Sequence, residues 1–247
     1  MKNNTHANKA ESYDIGRPEY PAAFFDFLYA KTIVKVDDII ADIGCGTGKV
    51  TRHFLERGNK VIAIEPDGEM LRIADKKLKQ YPNYLSFQNT AENTGIENGS
   101  ASHIFCGNSY HWFDRKKAVP EFRRILKRGG TVVISRLGGG ENDYDCESAK
   151  IIEKYKKAVK NRALDTSPPF LSGTFLEKTF DFAIYETFDG FLHGSLSASF
   201  TPSVGDKTYE PFCDEIKQLF EKYQKNGRLE AVMRLHCMIG DAVNLSV

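Results

Sequence analysis

The strongest constraint on this chain is the run ADIGCGTGKV, residues 41–50, where three glycines fall within five residues directly behind the apolar segment 39–43. A short apolar run that stops at a glycine turn and resumes with helical spacing reads as a buried parallel strand, a turn and a helix. Glycine tolerates positive φ and lets a ligand approach the backbone, and the helix behind it offers free N–H groups to a negative group. The expected ligand place is the carboxyl end of that strand, where open α/β sheets bind.

The same alternation continues through the first 137 residues. A helix is expected over 21–30, a strand in DDIIADIG, a helix in KVTRHFLERG stopping at Gly58, and a strand in KVIAIE. Next come the amphipathic helix GEMLRIADKKLKQ, strands YLSFQN and ASHIFCG, the helix RKKAVPEFRRILKRGG ended by its glycine pair, and the strand TVVISRL. Strand–helix alternation of this kind makes a doubly wound, Rossmann-like α/β sheet. Beyond Leu137 a glycine loop, a helix in CESAKIIEKYKKAVKNR, an irregular stretch, a strand in FAIYETFDGF, a helix in YEPFCDEIKQLFEKY and a final antiparallel strand in RLEAVMRLHCMIG are expected. The organisation read from this is one domain, 1–247. It has an N-terminal cap segment (1–35), a cofactor-binding core (36–137), a helical lid insertion (138–180), and closing strands and helix (181–247).

Composition narrows the function classes. With 34 basic and 33 acidic side chains the net charge is +1, which does not suit a long nucleic-acid surface, so no nucleic acid is expected as a partner. No segment reaches the roughly 20 apolar residues of a membrane span, and the polar start carries no apolar signal core, so no membrane is expected and a cytoplasmic location is. The five cysteines, Cys45, Cys106, Cys146, Cys213 and Cys237, are scattered without a C-x-x-C, and the six histidines lack ligand spacing. Neither a disulfide framework nor a metal site is expected.

The glycine turn leaves three ligand classes to separate. A triphosphate loop requires a glycine at 43 and a hydroxyl at 50, where Ile43 and Val50 stand. The dinucleotide fingerprint requires a glycine at 49, which is Lys49, expected to face solvent. What remains is another adenosine-bearing cofactor. Glu65 supports it, because it ends the second strand about twenty residues past the glycines, where an acid accepts the ribose hydroxyls. Asp67 reads as a cap of the next helix. Cys45 reads as a small residue rather than a nucleophile.

At this point the chain resembles a known family. ADIGCGTG, AIEPDGEM, NTAEN, YHWFD and EFRRILKRGG occur in the order seen in class I S-adenosylmethionine-dependent methyltransferases of methyltransferase type 11. ESYDIGRPEYP looks like the leading segment of the small-molecule branch related to trans-aconitate methyltransferases. The resemblance implies S-adenosyl-L-methionine as cofactor, with Asp42, Gly44, Cys45, Gly46 and Thr47 around its methionine part. It implies Glu65 on the ribose, Pro66 and Met70 on the adenine, and Ala91 and Glu92 flanking the adenine ring and its amino group. Asn108 and Ser109 would line the methyl end, and Tyr13 and Arg17 would fold over the cofactor. The fourth strand departs from the family, with His103 where an aspartate is common.

His111 is the candidate catalytic residue, as general base or as a wall of the acceptor site; a structural histidine is the alternative. Trp112, the sole tryptophan, is expected to pack, and Met70 to serve as helix core or adenine contact. A sulfonium donor is already activated, so alignment and exclusion of water are the main demands on the protein. A carboxylate acceptor needs no base, and Arg17, Arg136 and Arg162 could neutralise one. The expected function is methyl transfer to a small-molecule acceptor by a monomer or homodimer. A non-catalytic S-adenosylmethionine-binding protein and an RNA or protein methyltransferase share the same motifs and remain alternatives.

Overall fold

The computed structural model describes residues 5–31, 33–157 and 167–246. Helices α1 (Thr5–Gly16) and α2 (Ala22–Ala30) come first. The alternation follows as β1 (Ile39–Ile43), α3 (Lys49–Glu56), β2 (Lys60–Ile64), α4 (Gly68–Leu78), β3 (Tyr84–Phe87), β4 (Ala101–Gly107), α5 (Arg115–Ile125) and β5 (Leu126–Gly139). Then come α6 (Asp145–Tyr155), β6 (Phe175–Glu186), α7 (Phe188–Leu196), α8 (Tyr209–Tyr223) and β7 (Leu229–Asp241).

The strands form one seven-stranded sheet in the order β3-β2-β1-β4-β5-β7-β6. β1 pairs in parallel with β2 on one side and β4 on the other, β2 with β3, and β4 with β5. The closing strands bring the antiparallel pairing. This is the doubly wound α/β sheet read from the sequence. The chain runs from β1 to β2 and β3 on one side and then crosses to β4 on the other, so strand order reverses between β1 and β4, and such a switch point opens a crevice at the carboxyl ends.

The chain divides into two compact units. The larger comprises Glu19–Leu137, Ala163–Phe180 and Leu235–Val247. Its core is conventional: Ile43, Ile64, Ala101, Ile104, Cys106, Phe122 and Val132 are buried together. A second layer is aromatic, where Phe24 meets Phe25 and Phe105 at ring separations of 5.2 and 5.9 Å and Phe54 meets Phe105 at 5.6 Å. Edge-on aromatic pairs of this kind add about 0.5–1.5 kcal/mol each beyond their buried area. Helix α5 keeps Pro120 inside but ends at Ile125, not at the glycine pair. Leu126 already pairs with Ala101, and the register then jumps so that Thr131 faces His103. A side chain at Gly130 would strike the Ser102 carbonyl at 2.6 Å, so that glycine serves the strand contact.

The smaller unit comprises Met1–Pro18, Gly138–Arg162 and Asp181–Arg234. Its apolar centre is Tyr144, Phe191, Phe212, Ile216, Leu219 and Phe220. It holds two helices that the sequence reading missed. α1 was read as a polar leader because the residues it buries, Ala10, Ser12 and Gly16, are small. α7 begins inside a stretch read as strand. Thr187 caps it by accepting from the Gly190 amide, and Phe191 and Leu196 give it a buried side.

Candidate active site

The turn after β1 is built by backbone chemistry. The amides of Gly44 and Cys45 both donate to the Ile64 carbonyl, at 2.8 and 3.1 Å, which ties the end of β1 to the end of β2. Gly44, Gly46 and Gly48 have φ of 73°, 58° and 80°, the left-handed region that a side chain resists. Space demands glycine as well. A Cβ on Gly44 would lie 2.5 Å from the Ser109 Cβ, and one on Gly48 would lie 2.5 Å from Leu78 Cδ1.

Glu65 is buried and bonded to this turn: one carboxylate oxygen accepts from the Gly46 amide at 2.8 Å, the other from the Asp67 amide at 3.0 Å. Burial raises its pKa, and the two backbone bonds oppose that shift. Asp42 is buried beneath the turn and accepts from the Thr51 hydroxyl at 2.5 Å. Burial pushes its pKa up to about 7; the Thr51 bond opposes this and the Glu65 charge adds to it. The Cys45 thiol is buried, with its pKa raised well above the ordinary value by burial and by Asp42 and Glu65, so it is no nucleophile.

One polar atom of the turn stands apart. The Thr47 hydroxyl is buried, in a residue 2% exposed, and has no hydrogen-bond partner among the described residues. Buried hydroxyls ordinarily find partners, and each orphan calls for an explanation. A polar group of a bound ligand is one, so the turn fits a cofactor.

Residues 41–134 match the methyltransferase domain family. These residues are a methyltransferase domain. An uncharacterized methyltransferase of Mycobacterium tuberculosis is 34% identical over 119 residues, 48% of this chain and 46% of that one. The chain thus spans about half the length of the curated relatives it matches first. A candidate type II methyltransferase from Anaeromyxobacter dehalogenans shares the fold, with a TM-score of 0.63, 19% identity, and coverage of 92% of this chain and 98% of that one. Phosphoethanolamine N-methyltransferase 2 of Haemonchus contortus, solved in complex with S-adenosyl-L-methionine, shares it at a TM-score of 0.52 and 15% identity, over 97% of this chain and 58% of that one.

Around the turn, the methyltransferase domain arranges the remaining candidates by the ends of β2, β4 and β5. Pro66 is exposed and Met70 half-buried, while Asp67 caps α4 by accepting from the Glu69 and Met70 amides. Ala91 is buried, and Glu92 accepts from the Asp114 amide at 2.8 Å, where α5 begins. Asn108 adopts φ of 52°, and its side chain both donates to and accepts from the Leu137 backbone, clamping β4 to β5. Ser109 is buried and donates to the Ile43 carbonyl at 2.7 Å, fixing the strand end beneath Gly44.

His111 is half-buried in the turn Tyr110–Trp112, with its pKa lowered by burial and then by the Arg136 charge. Trp112 corrects the packing expectation: it is 48% exposed, its ring 5.2 Å from His111. Lys49 corrects another. Its ammonium pairs with Glu19 at 2.9 Å and its side chain is only 15% exposed. Arg52 bonds the same carboxylate at 2.9 Å, so Glu19 bridges two cations of α3. His103 bonds Asp38 at 3.0 Å and Thr131 at 2.8 Å, which ties β4 to β5 and to the turn before β1.

Tyr13 and Arg17 belong to the smaller unit, where the guanidinium lies 5.3 Å from the Tyr13 ring centre and its Nε is buried without a hydrogen-bond partner among the described residues. Arg162 lies outside the described residues. The sequence reading missed Thr51, the support of Asp42. Its signal was available: it is a hydroxyl on the buried face of the first turn of an amphipathic helix. Among the described residues no three His, Cys, Asp or Glu gather as metal ligands, and no helix is long and apolar enough to cross a membrane.

Proposed function

We propose that the chain is an S-adenosylmethionine-dependent methyltransferase acting on a small-molecule acceptor. The observation that carries this reading is the unpartnered Thr47 hydroxyl on a glycine turn braced by Glu65. Thr47 and the turn from Gly44 would take the methionine part of the cofactor. Glu65 would take the ribose, because each of its oxygens keeps a lone pair after its backbone bond. Pro66, Met70, Ala91 and Glu92 would flank the adenine, and Asn108 and Ser109 would line the methyl end. When bound, the cofactor supplies a methyl group already activated on a sulfonium.

The residues of the chain then align an acceptor and manage its proton. A carboxylate acceptor has no proton to lose, and the exposed Arg136 offers it a counter-charge. An alcohol or amine would pass a proton to the His111 imidazole, which burial and Arg136 keep neutral near pH 7. The near-balanced charge of the chain favours a small acceptor over RNA.

Isothermal titration with S-adenosylmethionine and S-adenosylhomocysteine tests the reading. Binding is expected, weakened about a hundredfold by Glu65→Ala, the effect of losing hydrogen bonds to a charged group. No heat at millimolar cofactor would overturn it. A panel of acids, alcohols and amines with labelled methyl donor then separates the outcomes. Turnover supports the enzyme; tight binding with a silent panel favours a binding module.

A further inference from the structure

In the smaller unit, the ammonium of Lys9 on α1 is surrounded by five oxygens. They are the carbonyls of Leu196 at 2.5 Å, Ala198 at 2.9 Å, Thr201 at 3.1 Å and Pro202 at 3.2 Å, with the Thr201 hydroxyl at 3.0 Å. An ammonium has three hydrogens to donate, so the oxygens outnumber what one lysine can use. They come from the last turn of α7 and the turn after it, at the negative end of the helix dipole, where the Leu196 and Ala198 carbonyls also accept from Thr201. The turn also holds its own shape. Thr201 is buried, its amide donates to the Ala198 carbonyl at 3.2 Å, and its hydroxyl lies 2.8 Å from that same carbonyl.

We propose that the turn 196–202 is a monovalent-cation site whose built-in occupant is the Lys9 ammonium, so that where this ammonium is absent a free potassium or ammonium ion takes its place beneath α1. All five oxygens are neutral, which suits a single charge. Four of the five distances are 2.9–3.2 Å. Those are longer than the roughly 2.0–2.1 Å of magnesium or 2.3–2.6 Å of calcium, both of which also prefer carboxylates. Burial lowers the pKa of Lys9 to about 8; the Lys157 charge adds to this and Asp206 opposes it, so Lys9 remains charged at neutral pH.

α1 also packs directly on α7, with Ala10 and Ser12 buried. Residues 9, 12 and 16 share one face of the helix. Beyond Lys9 they contribute a Ser12–His193 hydrogen bond of 3.1 Å and a backbone contact of Gly16 on Gly194. The buried face offers small side chains rather than a broad apolar stripe, so the Lys9 ammonium adds a polar anchor to this packing.

The test is hydrogen exchange of the α1 amides in the full chain without cofactor, in chloride salts of potassium, ammonium and tetramethylammonium at equal ionic strength. It is independent of the methyltransferase reading. In Lys9→Ala, exchange is expected to be about tenfold faster in tetramethylammonium. It should be largely restored by potassium or ammonium, which fit the emptied cage. The wild type should exchange alike in all three salts. Unchanged exchange in Lys9→Ala, or equal restoration by every salt, would overturn the proposal. If that variant fails to fold, Thr201→Val removes one oxygen while keeping Lys9. Faster α1 exchange there supports the site, and unchanged exchange refutes it.

Discussion

Gly44→Ala puts the architecture of the glycine turn to a quantitative test. Two costs combine at this position. A non-glycine residue in the left-handed region loses about 1–2 kcal/mol, and Gly44 sits there at φ of 73°. The new methyl would also meet the Ser109 Cβ at 2.5 Å and its hydroxyl at 3.0 Å. Ser109 cannot swing away freely, because its hydroxyl is bonded to the Ile43 carbonyl. Overpacking of this kind costs about 1–3 kcal/mol, which makes the total about 2–5 kcal/mol. At about 2–4 °C per kcal/mol for a chain of this size, the melting temperature should fall by about 10 °C.

The two costs separate in a double-mutant cycle followed by thermal melting. Ser109→Gly removes the atoms that the alanine strikes but leaves the φ strain. The double variant should therefore be less destabilised than the sum of the singles by about 1–2 kcal/mol. Strict additivity would show that the steric argument is wrong. A Gly44→Ala melting temperature within about 1 °C of wild type would refute both arguments together.

Two further outcomes follow from the titrating groups. Asp42 holds a proton in the native state up to about pH 7 that the unfolded chain releases near its ordinary value of 3.8. Its stabilising contribution is therefore full below about pH 4 and declines as pH rises towards 7. Asp42→Asn, whose amide oxygen can still accept from Thr51, should flatten the urea midpoint across that window; parallel curves for the two proteins would sink the argument. For His111, Arg136→Ala removes a charge that lowers its pKa, so its imidazole should titrate at higher pH by NMR while staying below the ordinary histidine range because burial persists. An unmoved midpoint would separate Arg136 from His111.

How much of this was legible in the sequence depends on who each residue's partner is. β1, β2 and β4 are short apolar runs between turn residues, and α3 and α4 carry an apolar stripe that the sheet buries, so local pattern suffices for them. α1 and α7 were hidden because they meet through Gly16 and Gly194, residues that locally argue against a helix. The end of α5 was misplaced for a related reason. Its glycine pair looks like a stop, yet what ends the helix is the pairing of Leu126 with Ala101. Lys49 was misread because its partner, Glu19, stands 30 residues away in a segment with no pattern of its own.

At the site, the sequence conveyed which residues gather but not how they bind one another. Glu65 was read as an acid waiting for a ribose, yet the structure gives it a second task, because it fastens the Gly46 amide and so fixes the turn. Asp42, held by Thr51, and Ser109, held on Ile43, do the same from beneath β1 and from β4. Three side chains thus order one backbone turn through bonds internal to the chain, at the cost of placing two acids where each raises the proton affinity of its surroundings. An ordered turn loses little freedom when a ligand arrives, and that saving appears as affinity. The same reasoning explains why Glu65→Ala would weaken binding twice over, once through the lost acceptor and once through a loosened turn. Glu65→Gln, which keeps a carbonyl oxygen for Gly46, should therefore fall between the wild type and the alanine variant.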